Sequence, residues 1–297
     1  MLGTTLITLL LSLTGEPADT AAIGSGQEGE VRTFYHPNGA KAREGRILRG
    51  RRVGTWSGWH ATGQMSYKGD YDNYKRTGNW TFWRPSGKKR AEGKLEDDLR
   101  VGLWTMYNVT GEKEMEVNWS NGERSGLTVR FMPGGLTFSR VLYEDGLRNG
   151  PAIFFHEDGK QVSEQGSYRD DEKDGLWSSF HPDGEKYEEG AYDVGKRVGE
   201  WTTWHDNGRV EASGSFISGK QAGRWVGFYS NGQKQYEGNF VDGELEGAYA
   251  AWWQTGSKKA EGTMKAGEWH GDVRVYDKDG RPDPKSGVYD MGKKIRD

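Results

Sequence analysis

The residues best suited to metal or proton chemistry are the six histidines, and five of them share a slot. His36, His60, His156, His181 and His205 each follow the second aromatic position of a unit, whereas His270 falls outside that slot. Imidazole is the commonest metal ligand, but a zinc ligand must come within about 2 Å of the ion. Equivalent residues of successive hairpins stand about 9–10 Å apart. The row therefore reads as polar residues at the mouths of turns, and no metal site is expected. A second row, Glu44, Glu92, Glu116, Glu189, Glu237 and Glu261, has the residue type of a carboxylate pair. The same spacing lies at the upper edge of the roughly 6.5–9.5 Å window of an inverting glycosidase. A repeated slot, however, makes a row on one surface and not two acids facing across a cleft. The expected arrangement is a solvated ladder with Lys41, Lys89, Lys113, Lys186, Lys234 and Lys258. The chain contains no G-x-S-x-G elbow, H-E-x-x-H pair or P-loop. No catalytic residue, enzymatic activity or cofactor is expected.

A third row is basic. Arg52, Arg76, Arg100, Arg124, Arg148, Lys173 and Arg197 each stand two residues before a glycine, and Gln221, Leu245 and Trp269 take the slot in the last three units. Read as exposed residues of the connections between units, these cations help solubility. A line of them also suits a polyanion, such as lipid headgroups or an acidic protein edge. These seven are the candidate binding residues.

All three rows presuppose an element that repeats. The opening glycines are Gly54, Gly78, Gly102, Gly126, Gly150, Gly175, Gly199, Gly223, Gly247 and Gly271. Each step is 24 residues, as from 54 to 78, except for 25 from 150 to 175. The unit reads G-x-W-x-x-W-x-x-x-G-x-x-x-x-x-G-x-Y-x-x-G-x-x-x. Its second glycine follows Asn38, Thr62, Ser86, Asp158, Asp183, Asn207, Asn231 or Asp279. Asn-Gly and Asp-Gly pairs point to type I′ hairpin turns, so each unit is expected to be one hairpin, joined to the next by a Gly-bounded polar loop. No segment shows a helical period. The fold class is all-β: an elongated array of serial antiparallel hairpins forming one twisted open sheet. It covers 29–297 in about eleven units, after 1–22 and a short linker at 23–28.

The aromatic slots Trp56/Trp59, Trp80/Trp83, Trp104, Trp177, Trp201/Trp204 and Trp225 are expected to be structural, because stacked repeats must bury large side chains against their neighbours. Residues three apart on a strand point to opposite faces, so one aromatic row is expected to be partly exposed. The middle is worn. Thr128 and Ala152 replace tryptophan, and Val117 and Val141 replace the third glycine. Drift at a bend and a partner's docking point are the two readings of that stretch.

Composition sets the outer bounds. Mean hydropathy is −0.91, yet 13 Trp, 14 Tyr and 10 Phe are more aromatic content than a disordered chain carries. A net charge of −3 gives no basic footprint for nucleic acid. The absence of cysteine removes disulfides and thiolate metal sites. Residues 1–22, "MLGTTLITLLLSLTGEPADTAA", hold an apolar run from Leu6 to Leu13. The run is too short to span a bilayer and has the pattern of a signal peptide, although no Lys or Arg precedes it. Export to the periplasm, envelope or exterior is the expectation, with a cytoplasmic location as the alternative.

The pattern in "VGKRVGEWTTWHDNG" (194–208) and "NGERSG" (121–126) resembles the MORN repeats, and more closely their bacterial variant. That resemblance implies serial hairpins without catalytic residues, and a family often labelled antitoxin-like. It makes the protein a non-enzymatic interaction scaffold or antitoxin-like binding protein. The expected partner is another protein and not nucleic acid. The alternative is an envelope-associated module that binds glycan through aromatics or anionic lipid through cations.

Overall fold

The computed structural model describes residues 29–297, which form 23 antiparallel strands in one open sheet with no helix. The expected signal peptide at 1–22 and the linker at 23–28 lie outside the described residues. The first nine strands are β1 (Glu30–Tyr35), β2 (Lys41–Leu48), β3 (Arg51–Trp59), β4 (Met65–Asp72), β5 (Lys75–Trp83), β6 (Lys89–Glu96), β7 (Leu99–Tyr107), β8 (Lys113–Ser120) and β9 (Glu123–Phe131). The meander continues to β23 (Lys293–Arg296), each strand pairing with its neighbours in sequence. The 23 strands at about 4.8 Å per step give a length on the order of 100 Å.

Two kinds of turn alternate, and the tight one is not at the second glycine, where the sequence reading places it. At the second glycine the loop has five residues: His60 N donates to Gln64 O at 2.8 Å, and Gly63 N donates to His60 O at 2.8 Å. Gly63 has φ +88, but Thr62 is not left-handed, and neither are Asn38, Asp183 or Asn207. This is a type I turn closed by a left-handed residue. Asx bonds explain the Asn and Asp: Asp183 Oδ1 accepts from Glu185 N at 3.0 Å and Asn207 Oδ1 from Arg209 N at 3.2 Å. The two-residue turns with both φ values positive fall on the fourth glycine slot, as at Asp145 (φ 47) and Gly146 (φ 85). The segment expected to be a polar linker is thus a second hairpin turn. The sheet is continuous and not a string of separate hairpins.

The opening glycine lies inside a strand. Glu44 pairs with Ser57 and Arg46 with Val53, so β3 carries two extra residues around Gly54 (φ 62). On its other side β3 pairs with β4 without interruption from Gly54 to Gly58. Bulges of this kind bend the strand and sharpen the local twist.

The core is a single row running across the strands. Trp201 pairs with Gly190 on one side and Gly214 on the other. A Cβ on Gly190 would lie 2.1 Å from the Trp201 ring, and the equivalent distances at Gly45, Gly69, Gly93, Gly166 and Gly214 are 2.2–2.4 Å. Each indole therefore lies flat over a backbone that has no side chain. Its Nε1 donates to the carbonyl ten residues earlier, as Trp201 does to Ala191 at 3.2 Å and Trp104 to Lys94 at 2.9 Å. Third-slot aromatics close the edges: the Tyr192–Trp201 and Trp201–Phe216 rings are edge-on at 5.1 and 5.9 Å. Trp56, Trp80, Trp104, Trp177, Trp201 and Trp225 are buried, whereas Trp59, Trp83 and Trp204 on the opposite face are half-exposed, as the three-residue spacing requires.

In the middle of the array the two halves of this pairing change together. Val117 faces Thr128 and Val141 faces Ala152, all four buried. The missing indole is offset by a larger side chain on the strand opposite. The middle is a differently packed stretch of the same core, not an eroded one. One flaw remains in it: the Thr128 hydroxyl is buried with no hydrogen-bond partner among the described residues. Thr128→Val keeps the shape and removes the desolvated hydroxyl, so chemical denaturation is expected to show a gain of about 1 kcal/mol.

Candidate functional site

The seven cations lie in strands on the tryptophan face, not in the connections. Arg76 pairs with Tyr71, Arg100 with Leu95, Arg124 with Trp119 and Arg197 with Tyr192. Each is half-buried. The guanidinium of Arg100 lies 4.7 Å from the Trp104 ring and 4.8 Å from Trp119; that of Arg197 lies 4.2 Å from Trp201. Arg52, Arg76 and Lys173 cover Trp56, Trp80 and Trp177 in the same way, while Arg124 and Arg148 cover Tyr143 and Tyr168. Stacked guanidinium and ammonium groups lid the aromatic row. Their backbones are tied as well: Gly122 N donates to Arg100 O at 3.0 Å and Gly219 N to Arg197 O at 2.9 Å.

Carboxylate partners divide the row into three sets. Arg76 and Arg148 bind an aspartate in the tight turn one repeat on, Asp98 at 2.6 Å and Asp171 at 2.9 Å. Lys173 and Arg197 bind a glutamate nine residues earlier, Glu164 and Glu188. Arg52, Arg100 and Arg124 have no ion pair among the described residues; Ala91 and Met115 stand where Glu164 and Glu188 stand, and Gly122 and Gly146 where Asp98 and Asp171 stand. The electrostatics follow. Burial lowers the Arg148 guanidinium, but the Asp171 bond and charge outweigh it and hold the group above its ordinary value. Arg100 is lowered by burial, and then further by Arg90, Arg76 and Arg124. Around Arg100 an open groove of about 510 Å³ is floored by Phe82, Leu95 and Met106.

The family model described as the MORN repeat variant matches residues 52–73, 173–193 and 221–242. Each match begins at the cation slot and runs through the opening, turn and core glycines of one unit. The chain is a MORN-repeat protein. MORN repeats are generally associated with protein or membrane binding. No curated protein matches this chain in sequence. Among solved structures it is similar to the crystal structure of TcdB2-TccC3-Cdc42 at 11% identity, covering 88% of this chain and 15% of that one with a TM-score of 0.18. TcdB2-TccC3 without its hypervariable C-terminal region gives 11% identity, 85% and 15% coverage and the same TM-score of 0.18. The chain thus spans 15% of the length of each structure it matches, and likeness at this level carries no argument.

The other rows are part of the MORN lattice. All six expected Lys–Glu pairs form, from Lys41–Glu44 at 2.9 Å to Lys258–Glu261 at 2.8 Å, on the face opposite the buried tryptophans. Lys41, Lys186 and Lys234 also lie over the rings of Trp59, Trp204 and Trp252. The histidines tie one MORN repeat to the next: Nε2 of His36, His60, His156 and His205 bonds the carbonyl of Trp59, Trp83, Phe180 and Phe228 at 2.9–3.0 Å. A carbonyl only accepts, so Nε2 carries the proton in each. Sequence reading missed Asp98, Asp171, Glu164 and Glu188 as partners, together with Arg84 and Arg90 of the groove. The signal present was an aspartate in a glycine slot and an acid nine residues before a cation.

Glu237 is the sharpest reporter of the outer ladder. Hydrogen bonds from Arg224 and then Lys234 bring its carboxyl down to about 2. A depressed folded value stabilises the fold above the ordinary pKa of 4.5 and loses that contribution as pH falls from 4.5 to about 2. A carboxyl titration followed by NMR is expected to place Glu237 near 2. Arg224→Gln should move its midpoint upward toward the ordinary value.

Proposed function

We propose that this protein is a non-enzymatic interaction scaffold that holds an acidic protein partner along its tryptophan face. The observation that carries this reading is the three-way division of the cation row. Four cations are neutralised within the lattice, while Arg52, Arg100 and Arg124 keep their charge without a carboxylate among the described residues. The backbone positions of all seven are set by the sheet, so the free cations are presented in a line without an ordering cost on binding. The antitoxin-like role implied by the family resemblance is one form such a scaffold takes, with the acidic partner as its target. Export through residues 1–22 belongs to the same proposal.

The half-exposed row of Trp59, Trp83, Trp204 and Trp252 favours a second reading, in which indole faces stack on an envelope glycan. Anionic lipid is the third candidate ligand, through the basic row.

The test uses the purified full chain, with a photo-cross-linker placed beside Arg124, in native extract. A discrete cross-linked protein is expected. It should weaken at raised salt, because exposed charge loses reach within about 8 Å at physiological ionic strength, and it should vanish when Arg52, Arg100 and Arg124 are all changed to Gln. Cross-linking that survives the triple change, or loss of glycan-array binding on Trp59→Ala with Trp83→Ala instead, refutes the basic-row reading.

A further inference from the structure

We propose that the groove across β5–β8 takes an extended acidic peptide segment, with a side-chain carboxylate on Arg100 and an apolar side chain over Phe82 and Met106. The proposal rests on the scaffold reading and narrows it to one site and one ligand chemistry.

Charge is the first argument. Four arginines, Arg76, Arg84, Arg90 and Arg100, line the groove against two carboxylates, Asp98 and Glu114. Asp98 is already held by both the backbone N and the Nε of Arg76. Arg84, Arg90 and Arg100 have no ion pair among the described residues. Arg84 gives Nη2 to Tyr107 O at 2.8 Å, yet its Nε is buried with no partner among the described residues. Buried donors are rarely left unmatched, so an acceptor entering the groove completes a set that the described residues do not satisfy.

Shape is the second argument. Arg90 lies 5.6 Å from the Phe82 ring, and Arg100 is half-buried against Trp104 and Trp119. Arg90 is exposed at the rim, but Arg100, recessed between two rings, does not reach a flat bilayer surface. A carboxylate on a short stem enters such a groove, and a guanidinium fork accepts it in bidentate fashion. The apolar floor then receives the alternate side chains of an extended segment. Internal comparison is the third argument. The units around Lys173 and Arg197 supply Glu164 and Glu188, and the groove has Ala91 at the equivalent position before Arg100. The free charge on Arg100 is therefore set by its own repeat and is not a feature of the whole array.

The probe is a fluorescein-labelled peptide of alternating Glu and Leu, ten residues long, titrated with the full chain by anisotropy; the Gln–Leu peptide is the control. Saturable, salt-sensitive binding of the acidic peptide alone is expected. Arg100→Gln should weaken it by about tenfold, as expected for loss of one charge-assisted contact. Gly122→Asp should weaken it similarly by supplying Arg100 with the turn carboxylate that Arg76 and Arg148 already have. Asp98 and Asp171 occupy that turn position at φ 71 and 69, so the variant is compatible with the fold, which circular dichroism checks. Arg224→Gln, on the opposite face, should leave binding unchanged. Equal binding by wild type and Gly122→Asp overturns the proposal, as does no binding by wild type or flotation with phosphatidylglycerol vesicles in place of peptide capture. The scaffold reading stands or falls separately, on the cross-link in extract.

Discussion

An indole laid across a strand that has no β-carbon is the contact on which this fold depends. A one-layer sheet has no second layer to cover its apolar face. Here the cover comes from within the layer. Glycine lowers the surface of one strand by a side chain, and the tryptophan of the next strand occupies that depression. Trp56 and Trp104 are 0% and 1% exposed as a result. Everything else is arranged around that placement. The bulge glycine in each long strand sets the two-residue offset that brings Trp201 opposite Gly190. The third-slot aromatics close the ring edges, and the stacked cations close the ring faces.

The same contact explains the economy of the sequence. Stability in a serial array is a sum of units and their interfaces, and each interface here has one large ring, one absent side chain and one indole hydrogen bond. In the middle units, where the ring is lost, the opposite glycine is lost too, and Val117 with Thr128 or Val141 with Ala152 fills the space. In the last units Leu245 and Trp269 stand in the cation slot, and Trp269 packs edge-on against Tyr249 at 5.6 Å where tryptophan is missing from the core row. The basic row ends one unit earlier, at Arg197, since Gln221 stands in the slot beside the intact Trp225. Within the row, charge left over after packing is a narrower quantity, held by Arg52, Arg100 and Arg124, and it is this remainder that the functional reading uses.

Slot identity was legible in the sequence; cross-strand register was not. The period gave the hairpins, the burial of Trp56 and Trp201, the half-exposure of Trp59 and Trp204 and the six Lys–Glu pairs, because each depends only on position within a unit. Assigning the tight turn to Asn207-Gly208 failed because Asn serves there through its side chain, while Val194-Gly195 takes the left-handed pair without an Asn or Asp signal. The coupling of Val117 to Thr128 was hidden for another reason. Two bulged residues separate the pairs Glu116–Val129 and Trp119–Arg124, so counting along the chain misplaces the partners. The cation lids were hidden with them, since Glu188 and Asp171 are neighbours of Arg197 and Arg148 in space and not in the unit pattern.

The central claim is that a bare backbone under the ring holds the indole. Exchange of the Trp201 indole N–H in Gly190→Ala, followed by NMR beside the other tryptophans, tests it most directly. The indole is bonded to Ala191 O at 3.2 Å, and a Cβ at position 190 would lie 2.1 Å from the ring. The account predicts that Trp201 loses protection first, with Trp177 and Trp225 loosened less and Trp56 unchanged. Trp201 exchanging as slowly in Gly190→Ala as in the wild type, with stability unaltered, would contradict it.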